Sequence, residues 1–170
     1  YHKTGRARYI SHLDMMRCMQ RAIVRAKLSV WYTEGFNPHI YLTFALPLSL
    51  GYESKSEVMD LRLIDDAFPL SEVTSRLNDA LPPDIRIHTT AKIQNKPQAI
   101  THAIYTIQLF SNTQSAEVLR DRFCAFMSST QILVEKRAKQ GRRKITKQID
   151  IRPMCELLSC KVSGDIVLLT

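Results

Sequence analysis

The chain has 170 residues, of which 45% are hydrophobic, and a formal net charge of +8. That length and apolar content suffice for a buried core, whereas no apolar stretch approaches the roughly 18 to 20 residues that cross a bilayer and no signal-peptide core is visible, so we expect a cytoplasmic protein without a membrane partner. The four cysteines (Cys18, Cys124, Cys155 and Cys160) lack the spacing of zinc or iron–sulfur ligands, and we therefore expect no metal and no other cofactor.

Positive charge is concentrated in two segments. Residues 1–27 contain seven Lys or Arg and one acid, and residues 136–147 contain seven Lys or Arg and no acid, so the rest of the chain sums to −5. Because ordinary protein surfaces mix their signs, this segregation favours a polyanionic partner, RNA or DNA, held mainly through phosphates. The alternative is a solvated basic surface without a partner.

The first half of the chain alternates short strand patterns with two helix patterns. In chain order the predicted elements are a strand at 6–10, a helix from Ser11 to about 28, strands at 28–32, 39–48 and 56–64, a helix at 69–81, and a strand at 85–93. Ser11 followed by Asp14 is a helix-capping pattern, and the Pro82–Pro83 pair stops the second helix.

The second half repeats this pattern. Its predicted elements are a strand at 103–110, a helix at 115–129, strands at 130–138 and 144–151, a short helix at 153–159, and a strand at 165–170. Two β-α-β-β-α-β units predict an α+β fold of two tandem ferredoxin-like subdomains with antiparallel sheets, residues 1–95 and 99–170, divided at the polar stretch 94–98. The chain begins without Met and ends in an apolar run, so we expect the second subdomain to be a truncated fragment.

Residues 9–54, with the motifs SHLD, EGFNPH and LPLSLG, resemble the amino-terminal signature of the bacterial radical SAM-linked protein family. The later DIRP at 150–153 also fits that family, which departs from this chain at Thr33 and Ile40, where Ser and Pro are expected. The resemblance implies an association with a B12-binding radical SAM protein and with RNA modification or the translation machinery. This chain lacks cluster-binding cysteines, so any radical chemistry would belong to the partner.

The densest polar cluster surrounds the start of the first helix and the GFNPH loop. Its members are Ser11, His12, Asp14, Glu34, Asn37 and His39. If the strands flanking the helix are neighbours, the helix start and the loop approach each other, and His12 or His39 is the candidate general acid or base, oriented by a carboxylate. The alternative assigns Ser11 and Asp14 to helix capping, the loop residues to turn formation, and the histidines to the surface.

The basic residues are the nucleic-acid-binding candidates. They are Arg6, Arg8, Arg17, Arg21, Arg25, Arg142, Arg143, Lys144 and Lys147. Arg17, Arg21 and Arg25 recur every four residues and share one helix face, with no acid four residues away to balance them. The turn at 137–143 is either an RNA-gripping hairpin tip or a sheet edge protected from aggregation by charge. Nearby aromatic residues, including Tyr32 and Phe36, are candidates for stacking on bases.

No complete catalytic motif is present, so we expect the chain to have no enzymatic activity of its own. The favoured function is a non-catalytic RNA- or ribonucleoprotein-binding module that assists a radical SAM enzyme. One alternative is a metal-independent endoribonuclease with a tandem ferredoxin-like cleft, and another is a protein-docking adaptor.

Overall fold

The computed structural model describes residues 1–140 and 143–170, with side chains outside 139–144. These residues form an α+β protein with three α-helices and short antiparallel strands. The chain divides into two compact units, residues 1–101 and residues 102–170.

The first unit contains two helices and four short strands. They are β1 (His2–Lys3), α1 (His12–Arg25), β2 (Leu42–Phe44), β3 (Met59–Leu61), α2 (Leu70–Ala80) and β4 (Ile85–Arg86). Both predicted helices are confirmed, but the strand predicted at 6–10 is wrong. Residues Gly5–Tyr9 form a 3-10 helix, because Gly5 takes a positive φ of 55° and the Arg6 N–H donates to the Asp84 carboxylate at 3.2 Å. The strand predicted at 28–32 is reduced to single bridges, Val30 to Leu63 and Tyr32 to Ile40.

Backbone hydrogen bonds connect the strands of the first unit. β1 pairs antiparallel with β4, and β2 pairs antiparallel with β3. Lys3 and Ser54 exchange two backbone hydrogen bonds of 2.8 and 2.9 Å, so β1 has a partner on each side. The helices pack against this framework, and the core is made by the buried side chains of Met19, Ile23, Val73, Leu77 and Ile85, among others.

Helix α1 ends in a Schellman motif. The Leu28 N–H donates to the Ile23 carbonyl at 3.4 Å, and the Lys27 N–H donates to the Val24 carbonyl at 3.1 Å. Lys27 stands at the left-handed position with a φ of 52°, where glycine is usual. The helix therefore terminates cleanly despite the absence of a glycine.

The second unit contains one helix and five strands among the described residues. They are β5 (Ile107–Phe110), α3 (Ala116–Met127), β6 (Leu133–Gln140), β7 (Arg143–Asp150), β8 (Cys160–Ser163) and β9 (Ile166–Leu169). Helix α3 packs on the sheet β5-β9-β8 around the buried Ala116, Val167 and Leu169. β6 and β7 pair with each other as a separate antiparallel hairpin.

The helix predicted at 153–159 is wrong. Only Arg152–Met154 form a single 3-10 turn, and Cys160–Ser163 form a strand that the sequence analysis did not predict. A seven-residue segment is too short to repay helix nucleation, and the chain gains instead a hairpin to β9 through Gly164, whose φ is 59°. The tandem ferredoxin-like arrangement is therefore not confirmed.

None of the helices in the described ranges combines the length and the apolar character that crossing a membrane requires.

Candidate nucleic-acid interface

Helix α1 starts as the sequence predicts. The Ser11 hydroxyl accepts the Asp14 N–H at 3.2 Å and donates to the Asp14 carboxylate at 2.7 Å. The buried face consists of Met15, Met19, Ala22 and Ile23, and Leu13 is exposed. Arg17, Arg21 and Arg25 lie on the solvent side of the helix.

The three arginines of α1 have different surroundings. Arg17 binds the Asp14 carboxylate at 3.0 Å, so an acid three residues away balances it even though none lies four residues away. Arg25 donates to the Ala80 carbonyl at 2.7 Å and so ties α1 to the C-terminal end of α2. Arg21 is exposed and makes no hydrogen bond or ion pair with any described residue. Arg21 is therefore the cation of this face most available to a ligand.

The Ser11 hydroxyl, followed by Arg17, holds the pKa of Asp14 below its ordinary value. The cap and the ion pair thus act together to keep this carboxylate ionised.

A surface groove of about 470 Å³ runs along this face of α1. We refer to it as the arginine groove, and it is lined by Arg17, Gln20, Arg21, Val24, Arg25, Tyr32, His39 and Ile40. Val24 is 60% exposed and Tyr32 is 47% exposed, so apolar surface lies open between the cationic side chains. Three arginines and a histidine around apolar surface suit an anionic ligand that also carries an apolar part.

The loop from Thr33 to His39 is closed by side-chain hydrogen bonds. The Thr33 N–H donates to the His39 carbonyl at 2.8 Å, and the His39 N–H donates to the Thr33 hydroxyl at 3.1 Å. His39 Nδ1 lies 3.1 Å from the Asn37 carbonyl and 3.0 Å from the Thr33 hydroxyl, so the ring is held at this nitrogen. Gly35 takes a φ of 122°, and the next residue, Phe36, is fully exposed.

The predicted polar cluster is divided between two places. His39 lines the arginine groove, and Ser11 and Asp14 join it only through Arg17. His12 instead packs edge-on against Phe44, with the ring centroids 5.2 Å apart. The two histidines make no contact with each other among the described contacts. Glu34 and Asn37 are exposed loop residues.

Arg6 and Arg8 belong to a different part of the first unit. Arg6 lies 3.7 Å from the Asp84 carboxylate, and Arg8 lies 3.3 Å from Glu53 while its guanidinium stacks 5.0 Å from the Tyr9 ring. Each therefore has a carboxylate beside it, and both help to anchor the 3-10 helix of residues Gly5–Tyr9.

The second basic segment forms the hairpin of β6 and β7, which we refer to as the β-arm. Lys136 stands directly opposite Lys147, and the neighbouring pairs on the same face are apolar, Val134 with Ile149 and Ala138 with Ile145. Lys136, Arg137 and Lys147 are exposed. Arg142 lies outside the described residues, and only the backbone of Arg143 and Lys144 is described, at the start of β7.

Sequence analysis missed three residues of the arginine groove, Gln20, Val24 and Ile40. Val24 stands three positions after Arg21 and outside the buried face of α1. The only sign of it in the sequence is an apolar residue between two arginines of the exposed face.

A larger cavity of about 590 Å³ between β3, α2 and residues 87–95 is lined by one lysine, Lys92, and by Glu57 and Asp60. It lacks the cationic lining of the arginine groove. Within the described ranges, no three His, Cys, Asp or Glu side chains are grouped to hold a metal ion.

The fold and this surface define a class, a two-unit α+β protein with a cation-lined groove on its first helix. The whole chain, residues 1–170, matches the family described as "Uncharacterized protein conserved in bacteria (DUF2344)", and the chain belongs to that family. No curated protein and no solved structure matches it.

Proposed function

We propose that the chain is a non-catalytic RNA- or ribonucleoprotein-binding module that contacts phosphates with the arginine groove and the β-arm. The observation that carries this proposal is the groove itself, where Arg17, Arg21 and His39 surround exposed apolar surface. Arg21 carries the argument furthest, because its guanidinium has no carboxylate partner among the described residues and can fork onto phosphate oxygens.

The β-arm supports the same partner independently. Two lysines directly opposite each other destabilise a hairpin, and an anion between them would relieve that repulsion. Both basic segments also carry little acid. This suits a polyanionic partner, because Lys and Arg side chains that neutralise phosphates release the counterions of the nucleic acid.

We further propose that the partner protein is a B12-binding radical SAM enzyme engaged in RNA modification. The support is the resemblance of residues 9–54 and 150–153 to the radical SAM-linked family. We also propose a ferredoxin-like fold for the first unit, and strand pairing supports it. β1 pairs with β4 on one side and with Ser54 on the other. From Ser54 the chain runs into β3, which pairs with β2.

Binding to labelled cellular RNA tests the proposal. We expect affinity to fall steeply between about 50 and 200 mM salt, with the RNA remaining intact. Arg21→Ala should weaken binding about ten-fold and reduce the dependence on salt by about one phosphate contact. Arg76→Ala removes the same charge from α2, where Glu72 binds Arg76, and should change affinity less than about two-fold.

Two results would contradict this proposal. If the protein does not bind RNA at low salt, RNA binding is excluded and the protein-docking adaptor is the remaining function. If Arg21→Ala and Arg76→Ala weaken binding equally, RNA is attracted by the net charge of the protein and not by the arginine groove.

One observation favours a second function, a metal-independent endoribonuclease. His39 lines the arginine groove, and its hydrogen bonds to Asn37 and Thr33 engage Nδ1, which leaves Nε2 for proton transfer to or from a ligand. Under this alternative the RNA would be cleaved at specific sites and His39→Ala would abolish cleavage while retaining binding. His12→Ala serves as the comparison, because His12 packs on Phe44.

A further inference from the structure

We infer that the arginine groove binds an unpaired nucleotide, so that the RNA partner is single-stranded where it meets α1. This inference rests on the proposed function and names the form of RNA that the same site takes. It follows from the groove containing exposed apolar surface as well as cations.

The exposed apolar surface of the groove suits a nucleobase. A site that contacts only a phosphate backbone needs cations, and the exposed Val24 and Tyr32 that line the groove with the arginines would then have no role. A nucleobase has a flat apolar face that stacks on aromatic rings, and its own phosphate lies within reach of neighbouring guanidinium groups. The groove presents both kinds of surface, with the arginines and Val24 on α1 and the Tyr32 ring from the chain that follows it.

The size of the groove suits a single nucleotide. Its volume of about 470 Å³ lies in the range of sites that bind small organic molecules. In a duplex the bases are stacked inside and present only their edges, so their faces cannot reach Tyr32. An unpaired nucleotide exposes the face that the groove can use.

Polar side chains at the rim of the groove also suit a nucleotide. The His39 ring is held at Nδ1 by Asn37 and Thr33, which fixes its orientation at the rim of the groove. Gln20 adds an amide, which both donates and accepts hydrogen bonds. Carboxylate side chains would also pair with the arginines, but they offer no aromatic face to Tyr32.

The test compares a labelled RNA of about ten nucleotides with the same strand annealed to its complement. We expect the single strand to bind at least about ten-fold more tightly than the duplex. Tyr32→Ala should weaken single-strand binding about five- to fifty-fold and leave duplex binding unchanged, whereas Tyr32→Phe, which retains the ring, should bind like the wild type.

Val24→Lys keeps the test decisive even if Tyr32→Ala fails to fold. Val24 is exposed on a helix where Lys is well tolerated, so the protein should fold normally. The added cation would tighten binding of both RNA forms if only phosphates were bound. We expect instead that it reduces the preference for the single strand, because it replaces apolar surface.

The outcomes separate this inference from the proposed function. If Arg21→Ala weakens binding of both RNA forms equally and Tyr32→Ala changes binding of neither, the groove binds RNA phosphates and the inference of an unpaired base is wrong. If neither RNA form binds, the proposed function fails as well. If polyglutamate competes as well as RNA does, and Tyr32→Ala has no effect on it, the occupant is an acidic protein segment and the inference is overturned.

Discussion

The arginine groove and the β-arm come from two segments with seven basic residues each, but they have different local structures. In the groove, Arg17 and Arg25 already have partners, an adjacent carboxylate and a carbonyl at the end of α2, so they are held in place. In the β-arm, Lys136 and Lys147 oppose each other on an exposed hairpin. The groove is a preformed site built on a helix, and the β-arm is a concentration of uncompensated charge.

This difference indicates separate roles in binding. Preformed cations next to exposed apolar surface provide selectivity, because the ligand must match their positions. Uncompensated charge on an exposed ribbon attracts any polyanion and depends strongly on salt. We therefore expect changes in the β-arm to alter overall affinity, and changes in the groove to alter which RNA is preferred.

Removing the two opposed lysines of the β-arm should have a large effect on affinity for any RNA. We expect Lys136→Ala/Lys147→Ala to weaken RNA binding about five- to thirty-fold and to reduce the salt dependence by about two phosphate contacts, as fluorescence anisotropy with a long RNA would measure. The single-strand preference should be unchanged.

The matched control is Lys55→Ala/Lys161→Ala, which removes the same charge from two exposed positions outside both segments. If this control weakens binding as much as the β-arm variant does, the β-arm has no special role.

The next effect is on stability. Ser11→Ala removes the hydrogen bonds that start α1, so we expect a loss of about 1 kcal/mol in the free energy of unfolding, with RNA affinity changing less than about two-fold. Urea unfolding and RNA binding of the same variant measure both. Ser115→Ala, which removes the cap of α3, is the control in the second unit. A large loss of RNA affinity in Ser11→Ala alone would show that Ser11 belongs to the binding site.

Arg25 and Arg21 lie one helical turn apart and should behave differently. Arg25→Ala removes the hydrogen bond to the Ala80 carbonyl, and we expect it to lower the free energy of unfolding by about 0.5 to 1.5 kcal/mol. Arg21→Ala should leave stability unchanged and weaken RNA binding more than Arg25→Ala does. Equal stability losses in urea unfolding would contradict this assignment of roles.

Local features of this site could be predicted from the sequence. Ser11 and Asp14 lie three residues apart, and their capping hydrogen bonds follow from that spacing alone. The common face of Arg17, Arg21 and Arg25 follows from helical periodicity in the same way.

Features that depend on distant residues could not be predicted. The partner of Arg25 is 55 residues away, and the partner of Arg6 is 78 residues away. For the same reason sequence analysis placed His12 beside the loop of His39, because strand neighbours were assumed and the packing of His12 on Phe44 had no local signal. The helix predicted at 153–159 failed because its last residues, Leu158 and Ser159, hydrogen-bond to the distant Thr170, and these bonds outweighed a weak local preference.

The smallest expected effect separates stability from binding within the β-arm. Lys147→Glu replaces a repulsive pair by an attractive one opposite Lys136, and cross-strand pairs of opposite charge stabilise a hairpin by a few tenths of a kcal/mol. We therefore expect the free energy of unfolding of the second unit to rise by about 0.5 kcal/mol while RNA affinity falls. Gln148→Glu, whose side chain lies on the opposite face of the hairpin and directly opposite Glu135, introduces a carboxylate without an attractive partner and should not stabilise. A variant Lys147→Glu that is more stable and binds RNA as well as the wild type would show that the opposed lysines are not kept for binding. The opposite result, lower affinity with higher stability, is the expected consequence of a charge arrangement that destabilises the free hairpin and is compensated only by a bound anion.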